Sequence, residues 1–180
     1  SMVRAAAKNH ENTTVIVDQS DYLPVVSELV NGEISLERRR ELAQKAFSYT
    51  SFYDSMISEY FLEISDRKPD FYGISGKKKM DLRYGENPHQ AAGLYIHDAD
   101  SPLNSYDQLN GKELSFNNIL DLSMVYELLN AFQDSTECFA VIVKHQNPCG
   151  ASLRPTAKES FSDAFAGDPR SAFGGIVGFN

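Results

Sequence analysis

Apolar residues recur at three- and four-residue steps through Leu42, Ala46, Phe47, Tyr53, Met56, Ile57, Tyr60, Phe61 and Ile64. That spacing draws one stripe along a 3.6-residue helix. With Ser35 placed to cap its first turn, it predicts a single long amphipathic helix. Upstream, the β-branched run Thr14-Val15-Ile16-Val17 predicts a short buried strand ending at Asp18, followed by a helix from about Tyr22. Between Asp66 and Asp81 the periodicity collapses into Pro69, Gly73, Gly76 and Lys77-Lys78-Lys79. This is linker chemistry, and it divides the chain into residues 1–75 and 76–180. The lysine triplet reads as a solvated hinge rather than a phosphate site, because adjacent like charges repel and no aromatic residue interleaves them.

Beyond the linker, Leu94-Tyr95-Ile96 predicts a strand and the stretch from Ser101 to Gly111 a series of turns. Ser115 is the candidate cap of a helix whose apolar face uses Ile119, Leu122, Val125, Tyr126, Leu129 and Phe132. The unbroken apolar run from Cys138 to Lys144 suits a strand covered on both faces. A helix around 158–165 and a strand around 176–179 complete an alternating order, which implies α/β layering. There is no internal repeat and no low-complexity tract. The chain starts without an obvious leading element and stops directly after a strand, the pattern expected of a piece of a longer polypeptide.

Composition narrows the classes of partner. The 180 residues carry a formal net charge of -8 and are 42% hydrophobic, as in an acidic globular protein. Such a balance disfavours a broad nucleic-acid-binding surface but leaves room for a basic pocket that holds one small anion. The longest apolar run, Cys138 to Val143, is far short of the roughly 20 residues of a membrane-spanning helix. Lys8, Asn9 and His10 cut the apolar start of the chain below the length of a secretory signal. The two cysteines, Cys138 and Cys149, are too few for a disulfide framework or a four-cysteine zinc site, so a reducing cytoplasm is the expected compartment.

Three segments concentrate chemistry. In Arg83-Tyr84-Gly85-Glu86-Asn87-Pro88-His89-Gln90 an arginine fork suited to phosphate stands beside a tyrosine that offers a hydroxyl and a stacking face. A surface turn set by Gly85 and Pro88 accounts for the same residues. In Val143-Lys144-His145-Gln146-Asn147-Pro148-Cys149-Gly150 a buried strand delivers a lysine and a histidine to its carboxyl end. There His145 is able to accept a proton near neutral pH and Lys144 to stabilise developing negative charge. Neighbouring strand residues point to opposite faces, so one pocket needs a bend, which Asn147-Pro148 is expected to supply. A basic pair closing a strand is the plainer alternative. In Asp168-Pro169-Arg170-Ser171-Ala172-Phe173-Gly174-Gly175, paired glycines permit close backbone approach and Phe173 is placed to line a ring site, or the segment is simply a glycine turn entering a strand. Pro148-Cys149 echoes the zinc deaminases, but Ser152 occupies the position of their second cysteine. A thiol nucleophile, Cys149 with His145 as its base, remains a competing class, as does a noncatalytic nucleotide-binding domain.

Taken in order, these segments, together with Arg4-Ala5-Ala6-Ala7-Lys8-Asn9-His10, resemble a known family. They are similar to the bifunctional purine-biosynthesis enzymes that join aminoimidazole carboxamide ribonucleotide transformylase to inosine monophosphate cyclohydrolase. The resemblance implies a central fragment: the end of the cyclohydrolase domain and linker over 1–75, then the start of a cytidine-deaminase-like transformylase domain over 76–180. By the same resemblance His145 is the general base toward the substrate amine, which attacks the formyl group of 10-formyltetrahydrofolate, and Lys144 is its neighbouring stabiliser. Lys8 corresponds to a residue of the cyclohydrolase reaction. Arg83, Tyr84, Phe173 and Gly174 match nucleotide contacts, and Asn118 does so more loosely. Arg83, Lys144 and His145 are therefore expected to converge on one anion-attracting cleft. The family further implies nucleotide and folate substrates, no metal, no nucleic-acid or membrane partner, a homodimer, and no activity from this fragment alone.

Overall fold

The computed structural model describes residues 2–65, 68–97 and 101–180. The chain forms two compact units, 1–77 and 78–180.

Among its described residues the first unit holds three α-helices: α1 (Met2–Lys8), α2 (Tyr22–Val30) and α3 (Leu36–Glu63). Ser35 caps α3 by accepting the Arg38 N–H at 3.1 Å, as its position predicts. Ala7 of α1 packs with Val15, Ala43 and Ala46, small side chains that let the helix backbones approach closely. Leu42 joins Val25 and Ile34 in a second cluster. Asp21, buried beside α3, receives Arg38 at 3.2 Å and Lys45 at 2.6 Å, so its charge is paired. Two expectations fail in this unit. Residues 14–17 form no strand, because no described residue supplies the partner backbone that a β-ladder requires. The apolar stripe of α3 is buried only near its start, while Tyr53, Met56, Tyr60, Phe61 and Ile64 are each more than half exposed.

The second unit opens with a two-stranded sheet of β1 (Lys77–Leu82) and β2 (Ala92–Ile96). The lysine triplet is therefore strand and not hinge. Lys79 Nζ donates to the carbonyls of Leu103 at 2.7 Å and Asn104 at 2.8 Å and lies over the Tyr106 ring. Next come α4 (Phe116–Asn130), β3 (Cys138–Lys144), β4 (Asn147–Arg154), α5 (Ala157–Gly167), the four-residue α6 (Pro169–Ala172) and β5 (Ile176–Phe179).

Helix, strand and sheet alternate as expected, but the larger sheet has the order β4-β3-β5 with both pairings antiparallel. The strand β4 was not predicted. Asn147-Pro148 starts it instead of bending the chain away, and Pro148 is tolerated because β4 is an edge strand. The central strand β3 is buried on both faces, as its apolar run requires. Phe139, Val141 and Val143 pack with Val125, Met124, Leu128 and Leu129 of α4. Ala140 and Ile142 face Ala164 of α5 on the other side. Tyr126, expected on the apolar face of α4, is exposed. Two glycines set the closeness of this packing. A Cβ on Gly150 would lie 1.9 Å from the Ala164 carbonyl oxygen, and one on Gly178 would lie 2.3 Å from Val125 Cγ1. Ser160, wholly buried, donates its hydroxyl to the Cys138 carbonyl at 2.6 Å and ties α5 to the start of β3.

Candidate functional site

The centre of the site is the two-residue loop His145–Gln146 that joins β3 to β4. Lys144 and Asn147 are paired across it, and both loop residues have positive φ, 52° and 59°. Tight hairpins with the right-handed twist of a sheet demand that geometry, which Asn-Gly normally supplies. With side chains larger than glycine the left-handed region costs about 1–2 kcal/mol per residue. Surrounding bonds hold the loop there. The Gln146 N–H donates to Asp121 Oδ1 at 2.7 Å, Asn147 Nδ2 to the His145 carbonyl at 2.8 Å, and Lys144 Nζ to the Phe173 carbonyl at 2.7 Å. The register shifts between Ile142 and Val143, whose partners are Gly150 and Pro148, so Cys149 is the extra residue of a β-bulge beside the loop.

Two cavities meet at His145. A larger one of about 470 Å³ is lined by Lys144, His145, Asn147, Pro148, Cys149, Asp168 and Ser171. A smaller one of about 210 Å³ is lined by Glu86, Phe116, Asn117, Leu120, Asp121, His145 and Gln146. The hairpin loop resolves the difficulty that consecutive strand residues face opposite ways, since His145 has already left the strand where Lys144 ends it. Asp168 caps α6 by accepting the Ser171 hydroxyl at 2.5 Å and N–H at 3.1 Å. Those bonds from Ser171 hold its carboxyl below the ordinary value. Cys149 lines the larger cavity, yet its thiol donates to the Ile142 carbonyl at 3.4 Å and packs beside Ala140, Ile142 and Ala164. Among the described residues no three His, Cys, Asp or Glu side chains are grouped to hold a metal ion.

The arginine segment reaches this site through α4. The Arg83 N–H donates to the Leu114 carbonyl at 2.8 Å, the Phe116 N–H to the Tyr84 carbonyl at 3.0 Å, and Asn117 Nδ2 to the Glu86 carbonyl at 3.3 Å. The Arg83 guanidinium lies 4.8 Å from the centre of the Tyr84 ring and donates to its hydroxyl at 3.3 Å. The Ser115 hydroxyl and Arg83 lower the Tyr84 pKa from its ordinary value. Asn118 closes the capping box of α4: its Oδ1 accepts the Ser115 N–H at 3.0 Å and hydroxyl at 2.9 Å. Phe173 is 84% exposed, with Gly174 next to it at a φ of 76°.

Of the predicted residues, the fold thus joins Lys144 and His145 on one cavity and Lys144 to Phe173 by a direct bond. Arg83 and Tyr84 line neither cavity, and the walls are not uniformly cationic, since Glu86, Asp121 and Asp168 take part. Lys8 is an exposed residue in the last turn of α1, in the first unit. Asp121 is not among the residues that the sequence singles out. Its signal was the polar pair Asn117 and Asp121, four residues apart on α4 beside the apolar face.

Residues 6–180 match the sequence profile of the AICARFT/IMPCHase bienzyme. The chain belongs to the AICARFT/IMPCHase bienzyme family. Among the relatives of this family member is the bifunctional purine biosynthesis protein PurH of Persephonella marina, 48% identical over 187 residues, which cover all of this chain and 36% of that protein. PurH of Clostridioides difficile is 45% identical over 99% of this chain and 35% of its own length, and PurH of Bacillus subtilis 43% identical over the same shares. The chain spans about a third of the length of these curated relatives. Among its described residues no helix is long and apolar enough to cross a membrane.

Proposed function

We propose that this AICARFT/IMPCHase chain carries the end of a cyclohydrolase domain and its linker over 1–75 and the start of a cytidine-deaminase-like transformylase domain over 76–180, and acts in de novo purine synthesis. The observation that carries the proposal is the strained His145–Gln146 loop, which presents His145 beside Lys144 on one cavity. Strain held by surrounding bonds at an exposed histidine is characteristic of functional sites.

The amine of aminoimidazole carboxamide ribonucleotide is conjugated with its ring and is a poor nucleophile. His145 takes the amine proton as the nitrogen attacks the formyl carbon of 10-formyltetrahydrofolate, and Lys144 stabilises the oxyanion of the tetrahedral intermediate. The new C–N bond forms, the bond from the formyl carbon to N10 breaks, and the proton passes to the departing folate nitrogen. Arg83 and Tyr84 hold the ribonucleotide, with Asn118, Phe173 and Gly174 as further contacts. Lys8 serves the ring closure that follows in the preceding domain. The enzyme works in the cytoplasm as a homodimer, on small-molecule substrates, without metal, nucleic acid or membrane. In the full-length enzyme, His145→Ala is expected to lower kcat by about 10²- to 10⁴-fold while nucleotide affinity stays within several-fold. Steady-state kinetics alongside nucleotide titration tests this, and an unchanged kcat refutes it.

A further inference from the structure

We infer that Asp121 is the positioning residue of this site: its carboxylate locks the loop that presents His145 and links that loop to the segment of Arg83 and Tyr84. The inference rests on the role of His145 proposed above. Gln146 is a central residue of a two-residue hairpin loop, so its N–H lies outside the β-ladder and needs another partner. Asp121 Oδ1 supplies it from 25 residues away at 2.7 Å, a charge-assisted bond. Neither His145 nor Gln146 favours positive φ by itself, so an unanchored loop would relax and turn the imidazole away from the cavity it shares with Lys144.

Asp121 is well placed to act as an anchor because the start of α4 is fixed from several sides. The Ser115–Asn118 box caps its first turn, Ile119 is buried, and Val125 packs on β3. The same two turns hold the arginine segment, through the bond from Phe116 to the Tyr84 carbonyl and that from Asn117 to the Glu86 carbonyl. Asp121, Asn117, Glu86 and His145 line one cavity. One rigid helix therefore sets the position of the proton acceptor relative to the segment proposed to grip the nucleotide, and Asp121 is the contact through which it reaches the loop.

In the full-length enzyme, Asp121→Ala is expected to lower kcat by roughly 10- to 100-fold, the scale of a misplaced reacting group, with the KM for nucleotide changed less than about threefold. Asp121→Asn keeps an acceptor oxygen in place and is expected to recover kcat to within about fivefold of the wild type. Gln146→Gly adopts positive φ without strain, so in that background the loss from Asp121→Ala shrinks. Independently of activity, the Gln146 amide proton exchanges slowly in the wild type and faster in Asp121→Ala. Asp121→Asn as damaging as Asp121→Ala, a loss of equal size in the Gln146→Gly background, or unchanged Gln146 exchange and kcat in Asp121→Ala each overturn the inference. If His145→Ala abolishes turnover while Asp121→Ala changes neither readout, the positioning role alone fails. If His145→Ala leaves kcat unchanged, the proposed function fails, and the Gln146 exchange still reports whether Asp121 holds the loop.

Discussion

The segments 83–90 and 144–150 are both dense in polar residues and both contain Asn-Pro, yet they are held in different ways. The first is an irregular loop, fixed by bonds from Gly85 to the Gln90 carbonyl, from Asn87 to the Gln90 side chain, and from α4. Its arginine rests on a neighbouring tyrosine ring, a contact that a ligand can displace. The second is a hairpin tip continuous with the most buried strand of the molecule, its residues held in backbone conformations they do not favour. A soft segment adapts to what it binds, whereas a stiff one holds a reacting group in place. Under the function proposed above, the first segment binds and the second carries the chemistry.

That difference can be broken most severely at Gly150. Its Cβ position overlaps a backbone oxygen of α5, and backbone cannot rotate aside, so Gly150→Ala is expected to destabilise the protein by about 3 kcal/mol and to disturb the hairpin. Urea denaturation measures the loss. Arg83→Ala tests the soft segment. The nucleotide dissociation constant should rise by about tenfold or more with a smaller effect on kcat, the reverse of His145→Ala, as when a uniform binding contact is lost. Titration with nucleotide and single-turnover kinetics separate the two effects. Ser115→Ala removes the cap of the helix that serves both segments and should cost about 1 kcal/mol, read as a lowered denaturation midpoint.

The smallest effect is expected at Asp168, beside the stiff segment. Ser171 holds its folded pKa below 3.8, so the unfolded chain binds the proton more readily. The stability it contributes is present in full above about pH 3.8 and is lost as pH falls through the lower folded value. The carboxyl is only partly buried, which keeps the contribution small. Asp168→Asn should therefore be less stable than the wild type at neutral pH by a margin that narrows below pH 3.8, as unfolding at a series of pH values will show.

Local signals located most of the elements. Apolar runs and cap residues placed α2, the start of α3, α4, β3, α5 and β5 near their observed positions, because each depends on a neighbour within a few residues. Where a distant partner decides, the pattern misled. Residues 14–17 have strand character but no strand beside them, and Lys77 to Lys79 look like linker but pair with β2. Pro148 signals a break, yet on an edge strand its missing N–H costs no ladder bond. For the site, residue type alone singled out Lys144, His145 and the arginine segment. Asp121 stayed hidden because a single helical aspartate looks solvated until the loop it anchors is brought to it.

The sequence by itself determined the family and the buried character of β3 and marked the candidate residues for chemistry, since side-chain type and short-range periodicity are written residue by residue. Only the tertiary structure decided the antiparallel order β4-β3-β5, the left-handed loop at His145–Gln146 and the pinning of that loop by Asp121. The physical reason is range. A β-ladder pairs backbone groups that every sequence possesses, and the bond from the Gln146 N–H to the Asp121 carboxylate joins residues 25 apart, so both pairings follow from how helices and strands pack and cannot be read from the local order of residues.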